Sequence, residues 1–467
     1  MIIFASNHPE GIINQQESIL LAENNTRVAF AVQFSFEQYY LTEPKAIELI
    51  ALIELKKTAK NTSISAAIFP LDSAIKNAIE QLDTTDNDLQ IFSNNYQTPW
   101  LTLSAPLMLE PVKIPKPWGQ EIWYTGIEAR GQSNVTAQGF STPLPWVLSL
   151  MPDYLASDSH KKIILLKTLD PLPDEVYGDL YFELHEQKQE VYVVTHIDSR
   201  AWKNNIGAIR LGFDEKKRSE FKSDEEFKVA YLNAVSEYEK IRRTIDDLYD
   251  IERIKNNISL TSPVDSKILG LWEKQIPQEL VEREEQARDY KNSFSAIQSL
   301  RIGDVVKVPC YVPHALQHGV RVVEFQTPVF ERKILSFAQK VLTQDSWDTQ
   351  SALEKVQLVT PEQAALVVLS AHEGVLVEEV ARFDDFRVIS ITLAANQQYC
   401  VESQNSYGLL MPIGNVCGVL IGDDELSLAA EEVMFIPYKL LAGAGINKSL
   451  IVCSKEYSLQ VLLAVVV

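Results

Sequence analysis

This sequence lacks closely spaced cysteine pairs, long apolar runs and an N-terminus that resembles a signal peptide. Its four cysteines form no Cys-x-x-Cys pair, which favours free thiols in a reducing cytoplasm. No stretch approaches the roughly 20 apolar residues of a membrane-spanning helix. The first residues show neither the basic start nor the long apolar run of a signal peptide. We therefore expect a cytoplasmic protein that has no membrane partner.

Positive charge is also scarce. The chain has 63 acidic and 43 basic residues and a formal net charge of −20, which disfavours nucleic acid and anionic membranes as partners. Hydrophobic residues make up 46% and charged residues 23% of the chain, as in globular proteins. A length of 467 residues exceeds one ordinary core, so we expect about two to four domains.

The first part of the chain, residues 1–110, is predicted to be a mixed α/β region. Apolar residues at helical spacing predict helices at 44–60 and 73–82, whereas 30–40 and 65–70 are typical of strands. We find no chemical motif in this region. Its role is unknown, and a structural or interaction role is favoured.

From residue 111 onwards, Pro and Gly separate short apolar runs, a pattern typical of a β-sandwich or barrel. A helical insertion is predicted over residues 216–296. Within it, a capping box with Ser223 at the N-cap and Glu226 at the third helical position starts a long charged helix. The flanking segments 111–215 and 297–345 are predicted to form one β domain. Residues 346–467 are predicted to form a second β domain without metal ligands.

Two stretches about 130 residues apart together predict a metal site. Glu183 and His185 are two residues apart on a predicted strand and therefore point to the same face. Glu190 opens the returning strand after a tight turn, and His314 comes from a second hairpin. Imidazole nitrogen and carboxylate oxygen suit zinc, manganese or iron(II). The alternative is that the histidines are satisfied by hydrogen bonds and the glutamates face solvent; the combination of both stretches favours metal.

These stretches resemble the two cupin motifs. The first motif normally has the pattern His-x-His-x4-Glu, and residues 183–190 have Glu-x-His-x4-Glu. In the second stretch Gly303, Pro309 and His314 match the motif, whereas Tyr311 and His318 replace its Gly and Asn. The resemblance implies a mainly β chain with double-stranded β-helix (cupin) domains, a helical insertion and the N-terminal mixed α/β region.

Within the cupins, residues 111–467 resemble the type I mannose-6-phosphate isomerases. The shared features are a Lys-x-Glu in the first motif, the helical insertion and a second cupin that is nearly free of metal ligands. The Lys-x-Glu is matched by Lys188 and Glu190. Further matches are Lys167, Glu324 and Arg332 in their local segments.

The resemblance implies a role for each matched residue. The implied metal ligands, for a metal that is usually zinc, are Glu183, His185, Glu190 and His314. The implied catalytic residues are Lys188, Glu324 and Arg332, and the implied substrate-binding residues are Lys167 and Arg332. This sequence departs from the family because Glu183 replaces a Gln, Tyr181 replaces a Ser associated with phosphate binding, and Leu335 replaces an Asp.

The expected function is a metal-dependent aldose–ketose isomerase that acts on a mannose-6-phosphate-like sugar phosphate by enediol proton transfer. The enzyme alternatives are another cupin chemistry, namely an epimerase or an iron oxygenase. The non-enzyme alternative is a sugar-binding or regulatory protein. The expected partner is a small sugar or sugar phosphate, and a homodimer through the C-terminal domain is left open.

Overall fold

The structure, a computed structural model, describes residues 1–23, 25–58, 62–83, 88–421, 424–442 and 450–467. Within these residues the strands are β1 (Ile3–Ala5), β2 (Arg27–Glu37), β3 (Ala46–Lys57), β4 (Thr62–Pro70), β5 (Leu101–Thr102), β6 (Leu107–Glu110), β7 (Val112–Lys116), β8 (Gly119–Trp123), β9 (Ile127–Glu128), β10 (Gly131–Gln132), β11 (Asn134–Ala137), β12 (Phe140–Pro143), β13 (Leu165–Pro171), β14 (Phe182–Leu184), β15 (Glu190–Ile197), β16 (Gly207–Phe213), β17 (Ser295–Leu300), β18 (Val305–Val308), β19 (His314–Leu316), β20 (Val320–Gln326), β21 (Lys333–Ser336), β22 (Val367–His372), β23 (Val375–Arg382), β24 (Phe386–Leu393), β25 (Gln398–Val401), β26 (Gly408–Ile413), β27 (Cys417–Ile421), β28 (Asp424–Leu428), β29 (Val433–Ile436), β30 (Leu450–Cys453) and β31 (Leu459–Val466).

The helices in the same residues are α1 (Pro9–Ala22), α2 (Ser73–Glu80), α3 (Asp88–Asn95), α4 (Leu144–Leu150), α5 (Pro152–Leu155), α6 (Glu215–Ser219), α7 (Asp224–Lys255), α8 (Ser266–Glu273), α9 (Gln278–Asn292), α10 (Thr349–Lys355) and α11 (Tyr438–Ala442). Within the described part of the chain, no helix combines the length and the apolar character needed to span a membrane.

The chain forms two compact units. Unit 1 comprises Met1–Val112, Trp123–Leu166 and Leu366–Val467, and unit 2 comprises Lys113–Ile122 and Lys167–Ala365. The division into four segments predicted from the sequence stays a prediction.

Two antiparallel sheets enclose the core of the β domain that carries both motifs. One sheet has the order β18-β15-β20-β13-β8-β7 and the other has the order β17-β16-β19-β14-β21. Buried apolar side chains of both sheets pack against each other, among them Val194 and Val322 from the first and Leu211 and Ile334 from the second. This arrangement is the double-stranded β-helix, and the predicted cupin fold is confirmed.

The long helix of the insertion, α7, starts where the capping box predicts. The Ser223 hydroxyl accepts a hydrogen bond from the Glu226 backbone N–H at 3.2 Å, and α7 begins at the next residue, Asp224. The rest of the insertion forms two shorter helices, α8 and α9, with a break between them. The break precedes Pro277, which stands at the N-cap of α9, because a proline interior to a helix would remove a hydrogen bond and clash with the preceding turn.

The N-terminal region is mixed α/β as expected, but the predicted helix at 44–60 is wrong. Strand β3 occupies Ala46–Lys57 in the middle of the sheet β1-β2-β3-β4-β5. Its residues from Leu49 to Leu55 are all buried. A central strand covered on both faces is apolar at consecutive positions, and such a run also contains the i, i+3, i+4 spacing of a helix.

The C-terminal strands of unit 1 join earlier strands in one sheet. Its order is β12-β11-β6-β29-β26-β31-β24-β23-β22, and a second sheet has the order β25-β30-β27-β28. The buried side chains of the two sheets form a common core, with Ile391 and Leu463 from the first and Val419 and Val452 from the second. Strand β31 therefore lies in the interior of the larger sheet.

Lys291 is a buried lysine in α9, and we expect its replacement by methionine to stabilise the protein. Burial first, and then the charges of Arg210 and Arg288, lower its pKa to about 7. Between about pH 7 and pH 10.5 the unfolded chain therefore binds the proton that the folded chain does not, so stability rises with pH across this window. Lys291→Met should raise the free energy of unfolding at pH 7 by about 1–3 kcal/mol and flatten that rise.

Chemical denaturation of the Lys291→Met variant at pH 7 and pH 10 measures both effects. The exposed Lys267 provides the control, because Lys267→Met changes the same side chain in water. A loss of stability at pH 7 would mean that the contacts of the Lys291 ammonium with the Tyr238 ring (4.8 Å) and with Asn292 Oδ1 (2.7 Å) outweigh its burial.

Candidate metal centre

The structure brings the four predicted metal ligands together. Glu183 on β14 is the register partner of His314 on β19, and His185 follows β14 directly. One ligand atom from each of these three residues lies within 4.8 Å of the others. Glu190, the first residue of β15, places Oε1 at 2.8 Å from His314 Nε2 and at 3.5 Å from His185 Nε2.

Both histidines are oriented by backbone carbonyls. His185 Nδ1 donates to the Glu331 carbonyl oxygen at 3.0 Å, and His314 Nδ1 donates to the Val312 carbonyl oxygen at 3.2 Å. Because Nδ1 carries the proton in both rings, the lone pair of Nε2 is directed at the cluster of candidate ligands, as in histidines that bind metal.

The donor set fits a divalent cation. His185 Nε2 and Glu183 Oε2 are buried and have no hydrogen-bond partner among the residues that the structure describes. Buried polar atoms of this kind are rare and call for an explanation. A cation among two imidazoles and two carboxylates would provide each of them with a partner.

The electrostatics keep these groups in their ligand forms. Burial raises the pKa of Glu190, but opposing effects, chiefly the charge of Lys188, outweigh it and hold the pKa well below the usual range. The pKa of Glu183 is lowered in the same way, chiefly by Arg332 against the effect of burial. Burial and then the Lys188 charge lower the pKa of His185. The carboxylates are therefore ionised and His185 is neutral at pH 7.

Glu331 is a functional candidate that the sequence did not single out. Its Oε1 accepts hydrogen bonds from three consecutive backbone N–H groups, those of Glu186, Gln187 (2.9 Å) and Lys188 (3.3 Å). Its own carbonyl oxygen holds His185. Glu331 thus shapes the short loop between two of the candidate ligands. No motif marks this role, because the hydrogen bonds go to backbone atoms of a segment about 145 residues earlier.

We expect Glu331→Ala to weaken metal binding by about 10–100-fold, the usual effect of removing a group that orients a ligand. Without its carboxylate the loop loses three acceptor contacts and Glu190 and His185 are no longer held in register. A competition titration with a chromophoric chelator measures the affinity. Glu362→Ala, at an exposed position of the same unit, is the control, and an unchanged affinity in Glu331→Ala would refute the role.

A second group of charges adjoins the candidate ligands. Lys188 Nζ lies 2.9 Å from Glu190 Oε2, and Lys167 Nζ lies 3.2 Å from Glu324 Oε2. Burial raises the pKa of Glu324, and although Lys167 opposes this, Glu190 adds to it and the pKa reaches about 8. The pKa of Lys167 is raised, because Glu121 and Glu324 outweigh the effect of its burial. A buried carboxyl that titrates near neutral pH is suited to proton transfer.

Arg332 is held beside the candidate ligands. Its Nη1 lies 3.8 Å from Glu183 Oε2, its guanidinium stacks on the Tyr181 ring at 4.8 Å, and Nη2 donates to Thr343 Oγ1 at 2.6 Å. Tyr181 itself is buried and packs on Phe337 with ring centroids 4.2 Å apart. The structure thus gathers all the predicted site residues into unit 2, although Lys167 faces carboxylates rather than solvent.

No family model and no curated protein matches this chain. Among solved structures, the mannose 6-phosphate isomerase from Bacillus subtilis superimposes with a TM-score of 0.50 at 12% identity, covering 77% of this chain and 99% of that one. A phosphomannose isomerase variant from Salmonella typhimurium and a zinc-bound mannose 6-phosphate isomerase each have a TM-score of 0.49 at 13% identity, with the same coverage. The chain therefore has the cupin fold of the type I mannose-6-phosphate isomerases.

Proposed function

We propose that this protein is a metal-dependent aldose–ketose isomerase that converts a mannose-6-phosphate-like sugar phosphate through an enediol. The observation that carries the proposal is the placement of Glu324. This buried carboxyl lies 3.2 Å from Lys167 Nζ, on the strand that pairs with β15, and β15 begins with Glu190, one of the four clustered metal-donor candidates. An isomerase needs a group that moves a proton and, beside it, a fixed positive charge that stabilises the substrate oxygen on which negative charge develops.

In this proposal Glu183, His185, Glu190 and His314 would hold the ion, for which zinc is the first candidate and manganese and iron(II) are the alternatives. Once bound there, it would supply positive charge close to the substrate carbonyl. Glu324 takes the proton from C2 of the aldose and returns it to C1. Lys188 relays the proton between the two substrate oxygens, and Arg332 binds the anionic form with its guanidinium fork.

One observation favours a second candidate, an isomerase or sensor of an unphosphorylated sugar. Lys167, which the resemblance places near the substrate phosphate, shares its charge with Glu324 and Glu121. Tyr181, which stands where the family has a serine near phosphate, is buried in the core. Neither side chain is free to meet a phosphate in this arrangement.

The test is conversion of mannose 6-phosphate to fructose 6-phosphate by purified protein, with metal content determined on the same sample. One equivalent of metal with turnover supports the isomerase. Turnover of mannose but not of mannose 6-phosphate supports the second candidate as an enzyme. Metal without turnover of either sugar favours a different sugar as the substrate, or a sensor. Consumption of oxygen with iron(II) would indicate an oxygenase.

A further inference from the structure

A small cavity in unit 2 is lined by the helical insertion and by loops of the β domain. Its volume is about 20 Å³, which exceeds the roughly 10–15 Å³ that a cavity needs to hold one water molecule. The cavity therefore has room for one small ion but not for a sugar. None of its lining residues belongs to the candidate metal centre.

A polar stripe of α7 forms part of the lining. Its members recur at the spacing i, i+4, i+7 and i+11, which places them on one face of a helix, and they are Arg242, Asp246, Tyr249 and Arg253. All four are buried, although charged side chains are seldom buried unless they are paired. The rest of the lining includes Tyr177, which lies between β13 and β14, and Lys340, which follows β21.

Two buried guanidinium nitrogens on this stripe have no hydrogen-bond partner. Arg242 is 7% exposed, and its Nε donates to Asp246 Oδ1 at 2.9 Å, whereas its Nη2 has no partner in the described part of the chain. Arg253 is 5% exposed, and its Nη1 donates to the Ser259 carbonyl oxygen at 3.1 Å, whereas its Nε has no partner among the same residues. Both nitrogens are donors, so a ligand that accepts hydrogen bonds would satisfy them.

Positive charge is in excess around the cavity. The lining contains three cations and one carboxylate, namely Arg242, Arg253, Lys340 and Asp246. One further carboxylate adjoins the lining. Asp250 Oδ2 lies 2.6 Å from Lys340 Nζ, whereas Asp250 Oδ1 is 3.6 Å from Arg253 Nε, which is too long for a hydrogen bond. In agreement, burial lowers the pKa of Arg253, and the charges of Asp250 and Asp246 do not offset this effect.

The excess charge favours an anion over a water molecule. A water molecule could accept hydrogen bonds from both guanidinium groups, but it would leave the positive charge uncompensated, and uncompensated charge away from bulk water is costly. A third carboxylate, Glu273, accepts a hydrogen bond from the Tyr177 hydroxyl at 3.1 Å but is exposed, so the surrounding water weakens its effect on the cavity.

We propose that this cavity binds one inorganic anion of the size of chloride, and that the anion ties the helical insertion to the β domain. The insertion contributes the two guanidinium groups and the β domain contributes Lys340, so an anion among them would contact both parts. The proposal does not depend on the isomerase activity, because no lining residue takes part in the candidate metal centre.

Two variants that remove a positive charge test the site, each with a matched control. Arg253→Gln removes a guanidinium group from α7, and Arg283→Gln makes the same change at an exposed position of α9. Lys340→Gln removes the ammonium group from the lining at a side chain that is 24% exposed, where the change least threatens folding. Lys267→Gln is its exposed control on α8. Circular dichroism verifies that each variant is folded.

Quadrupolar broadening of the chloride NMR line measures binding to the full chain, with chloride titrated against gluconate at constant ionic strength. We expect saturable broadening that bromide removes by competition. The affinity should be at least about tenfold lower in Arg253→Gln and Lys340→Gln, because each loses a charge-assisted hydrogen bond to the anion, and the two controls should keep the affinity of the unchanged chain. Chloride should also raise the unfolding temperature more than gluconate does, because an ion that binds only the folded state stabilises it by mass action.

A crystal grown with bromide locates the ion by anomalous scattering, and we expect a peak beside Arg242 Nη2 and Arg253 Nε. Three results would overturn the proposal: no saturable broadening, equal chloride affinity in the charge-removing variants and the unchanged chain, or a water molecule in the cavity of the bromide crystal. An unfolding temperature that does not respond to chloride would show that the anion does not tie the insertion to the β domain.

Discussion

A chain that carries His314→Ala is expected to lose its divalent ion and to stay folded. His314 Nε2 points at Glu190 Oε1 from 2.8 Å, so removal of the imidazole deletes one of four candidate donors and leaves the two carboxylates to repel each other. Metal affinity should fall by more than about 100-fold, beyond the usual effect of losing a residue that merely orients a ligand. The apolar core between the two sheets does not include His314 and is kept.

Elemental analysis after dialysis gives the metal content of this variant, and thermal unfolding shows whether the fold is retained. His196→Ala is the matched control, because His196 lies on β15 with Glu190 but is exposed. It should keep a full equivalent of metal. If His314→Ala also kept a full equivalent, His314 would not be a ligand.

Replacement of Glu324 by glutamine is expected to cut turnover by about 10²–10⁴-fold and to leave the metal in place. Glutamine has the same shape and can still accept a hydrogen bond from Lys167, whose ammonium lies 3.2 Å from Glu324 Oε2, but it cannot take and return a proton. Because Glu324 belongs to β20 rather than to the ligand cluster, the affinity for metal should change little.

Steady-state kinetics on whichever sugar the unchanged enzyme converts, together with metal content, test this second result. Glu362→Gln makes the same chemical change at an exposed position and should have unchanged kinetics. Full turnover in the Glu324→Gln variant would mean that another residue transfers the proton. Loss of metal along with turnover would instead make Glu324 a group that supports the ligands.

The elements that short motifs encode were predictable from the sequence. The resemblance of two short stretches to the cupin motifs predicts the fold, and α7 starts at its capping box. The structure gathers the predicted donors because Glu183 and His314 are cross-strand partners. The backbone also retains the conformation that suits the glycine of the motif. Tyr311 stands at the position of that glycine and has a φ of +65°, in the left-handed region that glycine favours.

What could not be predicted depends on contacts between distant segments. Strand β3 has the apolar spacing of a helix, and only its position between β2 and β4 makes it a strand. Glu331 accepts hydrogen bonds from backbone N–H groups of the loop before Glu190, and backbone donors leave no trace in the sequence of that loop. The cavity of unit 2 is likewise lined by α7 together with residues near positions 177 and 340.

The interior position of β31 bears on how the chain folds during synthesis. Strand β6 pairs with β29, with Leu109 opposite Val433, and β31 fills the place between β26 and β24. The ribosome therefore releases the middle of this sheet last. Until then β6, which already pairs with β11, presents the edge that later meets β29, and an unpaired strand edge invites aggregation. Unit 2 ends at residue 365, so its barrel can close earlier. A premature stop before Leu459 would spare the barrel with the candidate metal centre but split the sheet of unit 1.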